Sequence, residues 1–149
     1  MREDYRIVPF GLGGVSMLVL TKVGSEPFIK ELCTNGKTRG DASLIARSVK
    51  RLLISGQEWG FQSGGLKGPL HGVRGEIALY EVRCAKKRTV LRLMTYLHND
   101  SERTPVFLFE FKGHQASESI GGIPPADLRR GEDLAVIARQ LMKAKGEQQ

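Results

Sequence analysis

Three segments in the second half of the chain alternate between apolar and polar residues with the period of two that is typical of β-strands. They span Glu76–Arg83, Arg88–Leu97 and Pro105–Lys112. One face of each segment is the more apolar, and together these faces comprise Ala78, Tyr80, Val82, Leu91, Leu93, Leu97, Phe107, Phe109 and Phe111. If these faces share one core, the opposite side of the sheet collects Glu81, Arg83, Arg92, Tyr96, Glu110 and Lys112. A sheet that is apolar on one face and cationic on the other suits a phosphate-bearing partner.

The N-terminal region predicts a β-hairpin. Two short extended segments, Tyr5–Phe10 and Val15–Thr21, flank the turn Gly11-Leu12-Gly13-Gly14, as expected of two strands joined by a glycine turn. Pro9 has no backbone N–H to donate to a neighbouring strand, which places the first segment at a sheet edge. The glycine turn does not resemble a phosphate-binding loop, because no helix begins after it and the glycine spacing is different.

Helical periodicity occurs on both sides of the three-strand region, so the predicted fold class is α+β. A short helix is expected to begin after Ser25 and to end near Asn35-Gly36. Asp41 caps a longer helix, and a C-terminal helix begins at Pro124-Pro125 and is expected to divide at Gly131. The apolar stripes of the longer helix and the C-terminal helix are Leu44, Ile45, Val49, Leu52 and Leu53, and Leu134, Ile137, Ala138, Leu141 and Met142. The glycine-rich stretch 56–75 is expected to be a loop.

Size and composition indicate one globular domain over residues 1–149, with an N-terminal extension at 1–14 and a frayed tail at 146–149. Hydrophobic residues make up 40% of the chain and charged residues 26%, an ordinary globular balance. Cys33 and Cys84 form neither a disulfide framework nor a zinc motif. The apolar run Val15–Leu20 is too short to span a bilayer, so a cytosolic location is expected.

The net charge of +7 favours nucleic acid or an acidic protein as partner. Arg47, Lys50 and Arg51 lie off the apolar stripe of the longer helix, where they form either a solvated face or a contact with RNA backbone. Lys67 and Arg74 belong to the glycine-rich stretch that leads into the charged sheet. These five cations are the candidate RNA-binding residues outside the sheet.

Short motifs occur in a characteristic order along the second half of the chain. They are Leu79-Tyr80-Glu81-Val82-Arg83, Val90-Leu91-Arg92-Leu93, Phe109-Glu110-Phe111-Lys112, Ile123-Pro124-Pro125 and Ala138-Arg139. In this order and spacing the chain resembles the RelE/ParE superfamily toxins of type II toxin–antitoxin systems, and their HigB-like branch in particular. The resemblance implies the RelE-like microbial RNase fold: an N-terminal strand or hairpin, a helical hairpin, an antiparallel twisted sheet and a C-terminal helix. It also implies an endoribonuclease that cleaves messenger RNA on the ribosome and is silenced by a cognate antitoxin.

The resemblance assigns roles to three cations. Arg83 and Arg92 match the arginines of the first and second motifs, and Lys112 falls in the basic pair after the third strand. The chain departs from the RelE branch in two ways: Glu81 stands where that branch has a lysine, and no tyrosine follows Tyr96. A HigB-like site that uses histidine is therefore the better expectation.

Cleavage of RNA without a metal requires a base for the 2′-hydroxyl proton, an acid for the 5′ leaving oxygen, and cations for the phosphorane charge. His71 and His114 flank the charged sheet in sequence and suit the proton transfers because the unperturbed pKa of histidine is about 6.5. Glu81 is either a further base or the partner of an ion pair with Arg83 or Arg92. His98, in the turn after the second strand, is expected to be solvent-exposed. The sequence contains neither a cluster of carboxylates nor a His-x-x-x-His spacing, so no metal or other cofactor is expected.

Two other functions fit the same pattern. A ParE-like gyrase poison would damage DNA metabolism and leave RNA whole, and a catalytically inactive binding module would keep the fold without the chemistry. An acidic antitoxin that covers the basic face or displaces the C-terminal helix is the expected protein partner.

Overall fold

The computed structural model describes residues 4–63, 65–70, 77–84, 89–114 and 123–147, and of residues 89, 90, 112–114 and 147 it describes the backbone only. Within these residues the fold is α+β, with six strands in one mixed sheet and four helices. The strands are β1 (Tyr5–Leu12), β2 (Val15–Lys22), β3 (Leu66–Lys67), β4 (Leu79–Cys84), β5 (Thr89–Leu97) and β6 (Pro105–His114). The helices are α1 (Phe28–Thr34), α2 (Arg39–Ser55), α3 (Gln57–Ser63) and α4 (Pro125–Glu147).

The predicted N-terminal hairpin is confirmed. Leu12 pairs with Val15, so the connection between β1 and β2 is the two-residue loop Gly13-Gly14. Both glycines have positive φ, +58° and +85°, as a type I′ turn requires, and glycine adopts that backbone without steric cost. β1 is an edge strand of the sheet, in agreement with the position of Pro9.

The sheet has the strand order β1-β2-β6-β5-β4-β3. All neighbouring strands are antiparallel except β2 and β6, which run parallel through Leu18↔Val106 and Val19↔Phe107. The sheet is therefore mixed: the chain leaves β2 through α1, α2 and α3, forms β3, β4 and β5, and only then reaches β6, which runs in the same direction as β2. β4, β5 and β6 form the antiparallel part that the alternation pattern predicts.

Apolar cores cover both faces of the sheet. On one face, α1 and α2 pack over the sheet with their own buried Ile29, Ile45, Val49 and Leu52. The buried strand residues on this face include Met17, Val19, Tyr80, Val82, Leu91, Leu93 and Phe107. On the other face, α4 packs over Leu20, Leu79, Met94, Tyr96, Phe109 and Phe111 with its own Leu134, Ala135 and Ala138. The predicted stripes of α2 and α4 are both confirmed as packing surfaces. The expectation of one apolar face and one open cationic face is wrong, because α4 closes the second face.

A bulge in β6 explains why strict alternation misplaces part of the sheet. Met94 pairs with Phe109 and Thr95 pairs with Phe107, so Leu108 is an extra residue in β6. An extra residue shifts the side-chain period by one. Phe109 and Phe111 consequently join the α4 face, whereas Phe107 stays on the α1–α2 face.

The regions around the predicted helices differ from the sequence expectation in four places. α1 begins at Phe28 after Pro27, and α2 begins at Arg39, so Asp41 lies within its first turn. The stretch expected to be a long loop contains α3 and the short strand β3. α4 continues through Gly131 without a break. An added Cβ at Gly131 would lie 3.0 Å from atoms of both Leu79 and Met94, so at this glycine the helix lies too close to the sheet for a larger side chain to fit without a shift.

Cys84 lies in the α1–α2 core with no exposed surface. Burial raises the pKa of its thiol from 9.0 to about 11, although the Ser48 hydroxyl lowers it in part. A raised pKa means that the folded state holds the proton more tightly than the unfolded state. The resulting contribution to stability is complete below pH 9 and is lost as the pH rises from 9 towards 11.

We expect this titration to be measurable by urea unfolding at pH 8 and pH 10.5. The free energy of unfolding of the wild type should fall by roughly 2 kcal/mol more than that of Cys84→Ala over this interval. An equal fall in both proteins would contradict a buried neutral thiol at this position.

None of the helices within the described ranges is long and apolar enough to cross a membrane. Among the same residues, no group of three or more His, Cys, Asp or Glu side chains is placed to hold a metal ion.

Candidate functional site

Glu81 joins two of the predicted site arginines. Its Oε1 accepts a hydrogen bond of 2.6 Å from Nε of Arg83, and its Oε2 accepts one of 3.2 Å from Nη1 of Arg92. The register of β4 and β5 sets Arg83 opposite Arg92, and Glu81 lies on the same face of β4 as Arg83 because two residues separate them. Of the two roles left open for Glu81, the ion pair is therefore present, with both arginines.

The three side chains differ strongly in exposure. Arg92 is 1% exposed and Glu81 is 2% exposed, whereas Arg83 keeps 21% of its side-chain surface in solvent. The guanidinium of Arg92 also lies over the Phe111 ring, 4.7 Å from its centroid. Burial among an aromatic ring and a carboxylate places Arg92 on the α4 side of the sheet, and of the three side chains only Arg83 keeps an appreciable share of its surface in solvent.

The other predicted catalytic residues are placed by the backbone alone or fall outside the described ranges. In the β5–β6 register, Lys112 pairs with Leu91 and His114 pairs with Thr89. Both positions therefore lie at the end of the sheet that also carries Arg83, which we call the Arg83 end. His71 and Arg74 fall outside the described residues.

The remaining predicted RNA-binding cations that the structure describes divide between two places: three lie away from the Glu81 cluster, and one lies beside Glu81. Arg47, Lys50 and Arg51 are exposed on α2, which covers the opposite face of the sheet from Glu81 and Arg92. Lys67 is exposed on the edge strand β3, where it pairs in register with Glu81. The cations thus occupy two sides of the molecule.

A second cationic feature lies at the opposite end of the sheet, where β4 begins and β5 ends. A cavity of about 440 Å³ is lined there by Tyr80, Tyr96, His98, Arg103, Arg139 and Lys143, with apolar walls from Ile77 and Leu97. We call this cavity the basic cleft. Ala78 also lines it, and Arg83 lies five positions further along the chain, which corresponds to roughly 17 Å of extended chain.

Tyr96 and His98 form a hydrogen-bonded pair inside the basic cleft. The Tyr96 hydroxyl and Nδ1 of His98 lie 3.0 Å apart, and the tautomer of His98 decides which of them donates. Burial raises the pKa of Tyr96 above its ordinary value; the charge of Arg139 opposes this rise and that of Asp100 adds to it. Tyr96 is therefore a neutral hydroxyl at physiological pH. His98 is half-buried rather than exposed, which corrects the expectation from its position in a turn.

Arg103 is held in an unusual backbone conformation at the rim of the cleft. Its φ is +50°, the left-handed region that non-glycine residues rarely adopt. The backbone N–H of Arg103 donates to the Asp100 carbonyl at 3.2 Å, and the Gln57 side chain donates to the Arg103 carbonyl. Its Nη2 donates to the Tyr80 hydroxyl at 3.0 Å. These contacts fix the guanidinium in place over the cleft.

Asp100 organises the turn that carries Arg103. Its carboxylate accepts hydrogen bonds from the backbone N–H of Thr104 at 2.9 Å and from the Thr104 hydroxyl at 2.7 Å. Burial alone would raise the pKa of Asp100, but these hydrogen bonds and the neighbouring His98 lower it below its ordinary value. Asp100 is thus ionised and committed to Thr104.

Sequence reasoning did not single out the basic cleft. Arg103 lies in a turn and Arg139 and Lys143 lie on a helix about forty residues later, so no local spacing connects them. The i, i+4 separation of Arg139 and Lys143 was visible and places both on one side of α4. Nothing in the sequence indicated that this side faces the end of β5.

Comparison of the chain with protein-family models, with curated proteins and with solved structures finds no match.

Proposed function

We propose that this protein is a RelE/HigB-like toxin of a type II toxin–antitoxin system, a metal-independent endoribonuclease that cleaves messenger RNA on the ribosome and so inhibits translation. The order of elements supports this proposal. A hairpin, helices, antiparallel strands and a C-terminal helix follow one another along the chain, in the order that the motif resemblance implies. A RelE-like topology is accordingly part of the proposal.

The observation that carries the proposal is the register of β4, β5 and β6. It sets Arg83 opposite Arg92, Lys112 opposite Leu91 and His114 opposite Thr89. All four positions therefore fall on adjacent strands at the Arg83 end, Arg83 and Arg92 on the α4 face of the sheet and the positions of Lys112 and His114 on the face that carries Leu91. Attack of the 2′-hydroxyl on its own phosphate needs cations and a proton-transfer group around one phosphate, so the proposed RNA site lies across this end of the sheet, where the two faces meet.

In this proposal the two arginines have different roles. Arg83 is the solvent-facing guanidinium that contacts the scissile phosphate, because it keeps 21% of its surface. Glu81 and Arg92 are positioning residues: the carboxylate holds Arg83 by Nε, and Arg92 fixes the carboxylate from inside the core. His71, His114 and Lys112 remain the proposed residues for proton transfer and charge stabilisation.

One observation favours a second candidate, a RelE-like binding module that has lost catalysis. Glu81 neutralises a cation that the resemblance assigns to catalysis, and Arg92 is 1% exposed. A guanidinium buried in this way cannot contact a phosphate without a rearrangement of the core. In this alternative the basic surface binds RNA or an acidic protein without cleaving RNA.

Primer extension on cellular messenger RNA after induced expression distinguishes these candidates. We expect new 5′ ends within translated regions for the wild type. For Arg83→Gln we expect about a hundredfold less cleavage, because removal of one preorganised donor to a transition-state oxyanion typically costs 10²–10³ in rate.

The matched control is Arg6→Gln, which removes one exposed arginine from β1 at the far edge of the sheet. This variant should cleave as the wild type does. Intact transcripts with wild-type protein present would exclude the nuclease. If growth still stops and RNA stays whole, a non-nuclease function such as gyrase poisoning takes its place.

An antitoxin and a cytoplasmic location belong to the same proposal. The net charge of +7 suits an acidic partner, and the ribosome-bound substrate is cytoplasmic. Co-purification of the product of the adjacent reading frame with this protein would test the partner.

A further inference from the structure

We infer that the basic cleft is a binding site for a phosphate-bearing ligand of nucleotide size, separate from the Arg83 end. This inference goes beyond the proposed nuclease and does not depend on it. Three cations converge on the cleft: Arg103 from the turn after β5, and Arg139 and Lys143 from α4. These elements are distant in sequence, and only the folded chain brings them together.

The charge of the cleft selects the ligand. No carboxylate lines the cavity among the described residues, and the nearby Asp100 is bonded to Thr104. Within the same residues neither Arg139 nor Lys143 forms an ion pair within 4.0 Å. Two guanidinium groups and an ammonium group exceed the charge of a single carboxylate. A phosphate monoester carries close to two negative charges at pH 7 and offers several acceptor oxygens, which guanidinium groups bind in pairs.

The shape of the cleft sets the size of the ligand. Its volume of about 440 Å³ falls in the range of small-molecule sites and is larger than a phosphate alone requires. Ile77 and Leu97 provide apolar walls for the rest of the ligand, and His98 and Asn99 provide polar groups at the rim. A mononucleotide, or the phosphorylated end of an RNA strand, has this combination of a dianion and a flat, partly apolar body.

The cleft is also preorganised. Arg103 is fixed by its hydrogen bond to Tyr80, by the turn that Asp100 closes and by the Gln57 contact. Its backbone has a φ of +50°, and surrounding contacts must compensate for the energy of such a conformation. Tyr96 and His98, which also line the cleft, hold each other by a hydrogen bond. A cation held in advance loses less conformational entropy when it binds an anion.

Isothermal titration of the full chain with AMP tests the inference. We expect saturable binding of AMP, weaker binding of inorganic phosphate, and no detectable binding of adenosine. The double variant Arg139→Gln/Lys143→Gln should weaken AMP binding at least tenfold. Arg103→Gln should weaken it as well, since it removes the fixed guanidinium.

The matched control is Arg129→Gln/Lys145→Gln. It removes the same charge from exposed positions of the same helix, and neither residue lines the cleft, so general electrostatic attraction falls equally. Affinity for AMP should stay within about twofold of the wild type in this control. Circular dichroism of each variant would verify that α4 is still folded.

Several results would overturn the inference: no AMP binding to the wild type, adenosine or citrate binding as tightly as AMP, or equal losses in the two double variants. A 5′-phosphorylated trinucleotide, compared with AMP, identifies the source of the phosphate. Tighter binding of the trinucleotide indicates a strand end, and tighter binding of AMP indicates a free nucleotide; both support the site. Arg83→Gln should bind AMP normally, so failure of the nuclease and failure of this site are separable.

Discussion

Replacing Glu81 by leucine should destabilise the protein by about 3–5 kcal/mol. The carboxylate is buried between Arg83 and Arg92, and it is 2% exposed. Leucine fits the volume of the glutamate but removes the counter-charge of a guanidinium that is 1% exposed. A buried charge that loses its partner costs several kcal/mol, far more than the pair contributes when it is intact. Urea denaturation followed by circular dichroism measures the change.

Two further variants separate the charge effect from simple loss of packing. The double variant Glu81→Leu/Arg92→Met should recover most of the lost stability, because a well-packed apolar pair can replace a buried ion pair at little cost. Arg83→Met should cost clearly less than Glu81→Leu, since Arg83 keeps 21% of its side-chain surface in solvent and Glu81 keeps Arg92 as a partner in this variant. If Glu81→Leu lowers the free energy of unfolding by less than about 1 kcal/mol, the ion pairs of Glu81 with Arg83 and Arg92 do not stabilise the fold, and this prediction is wrong.

Gly131→Leu should destabilise the protein by about 3 kcal/mol and loosen α4 from the sheet. An added Cβ at this position already lies 3.0 Å from Leu79 Cδ1 and 3.0 Å from Met94 Cγ. A longer side chain must displace both of these buried neighbours or lift the helix away. Overpacking of this kind usually costs 1–3 kcal/mol, and the cost is higher where the neighbours belong to a sheet that cannot shift. Urea unfolding and limited proteolysis of the C-terminal region report the two effects.

Gly146→Leu is the control for helix propensity. It lies in the same helix and an added Cβ there meets nothing within 4 Å, so leucine should be neutral or stabilising by at most about 1 kcal/mol. If Gly131→Leu and Gly146→Leu have the same free energy of unfolding, close packing at Gly131 does not hold α4 against the sheet. If Gly131→Leu loosens α4 from the sheet, the basic cleft should also be disturbed, because Arg139 and Lys143 of α4 line it.

Features that depend on neighbouring residues in the chain could be predicted from the sequence. The hairpin follows from Gly13-Gly14 between two alternating segments, and the packing faces of α2 and α4 follow from apolar residues at helical spacing. Each of these is decided within a few residues by backbone sterics and side-chain periodicity. The proximity of Glu81 to Arg83 and Arg92 was also predictable, because adjacent strands with a tight register set these positions side by side.

Features that depend on distant residues were decided only by the tertiary structure. The extra residue Leu108 moves Phe109 and Phe111 to the face that α4 covers, and the alternation pattern contains no sign of it. Arg92 lies on that face and is 1% exposed, against the Phe111 ring and beside Glu81, although from sequence alone it is as plausible a phosphate ligand as Arg83. The basic cleft exists because the end of β5 and the last turns of α4 meet in space. The sequence by itself determined the N-terminal hairpin, the three main strands β4–β6 and the apolar faces of α2 and α4, since these depend on local geometry, whereas α3 and β3 were not predicted. Which charges reach solvent, and which share a cavity, depended on how the sheet and the C-terminal helix pack, since long-range contacts set burial.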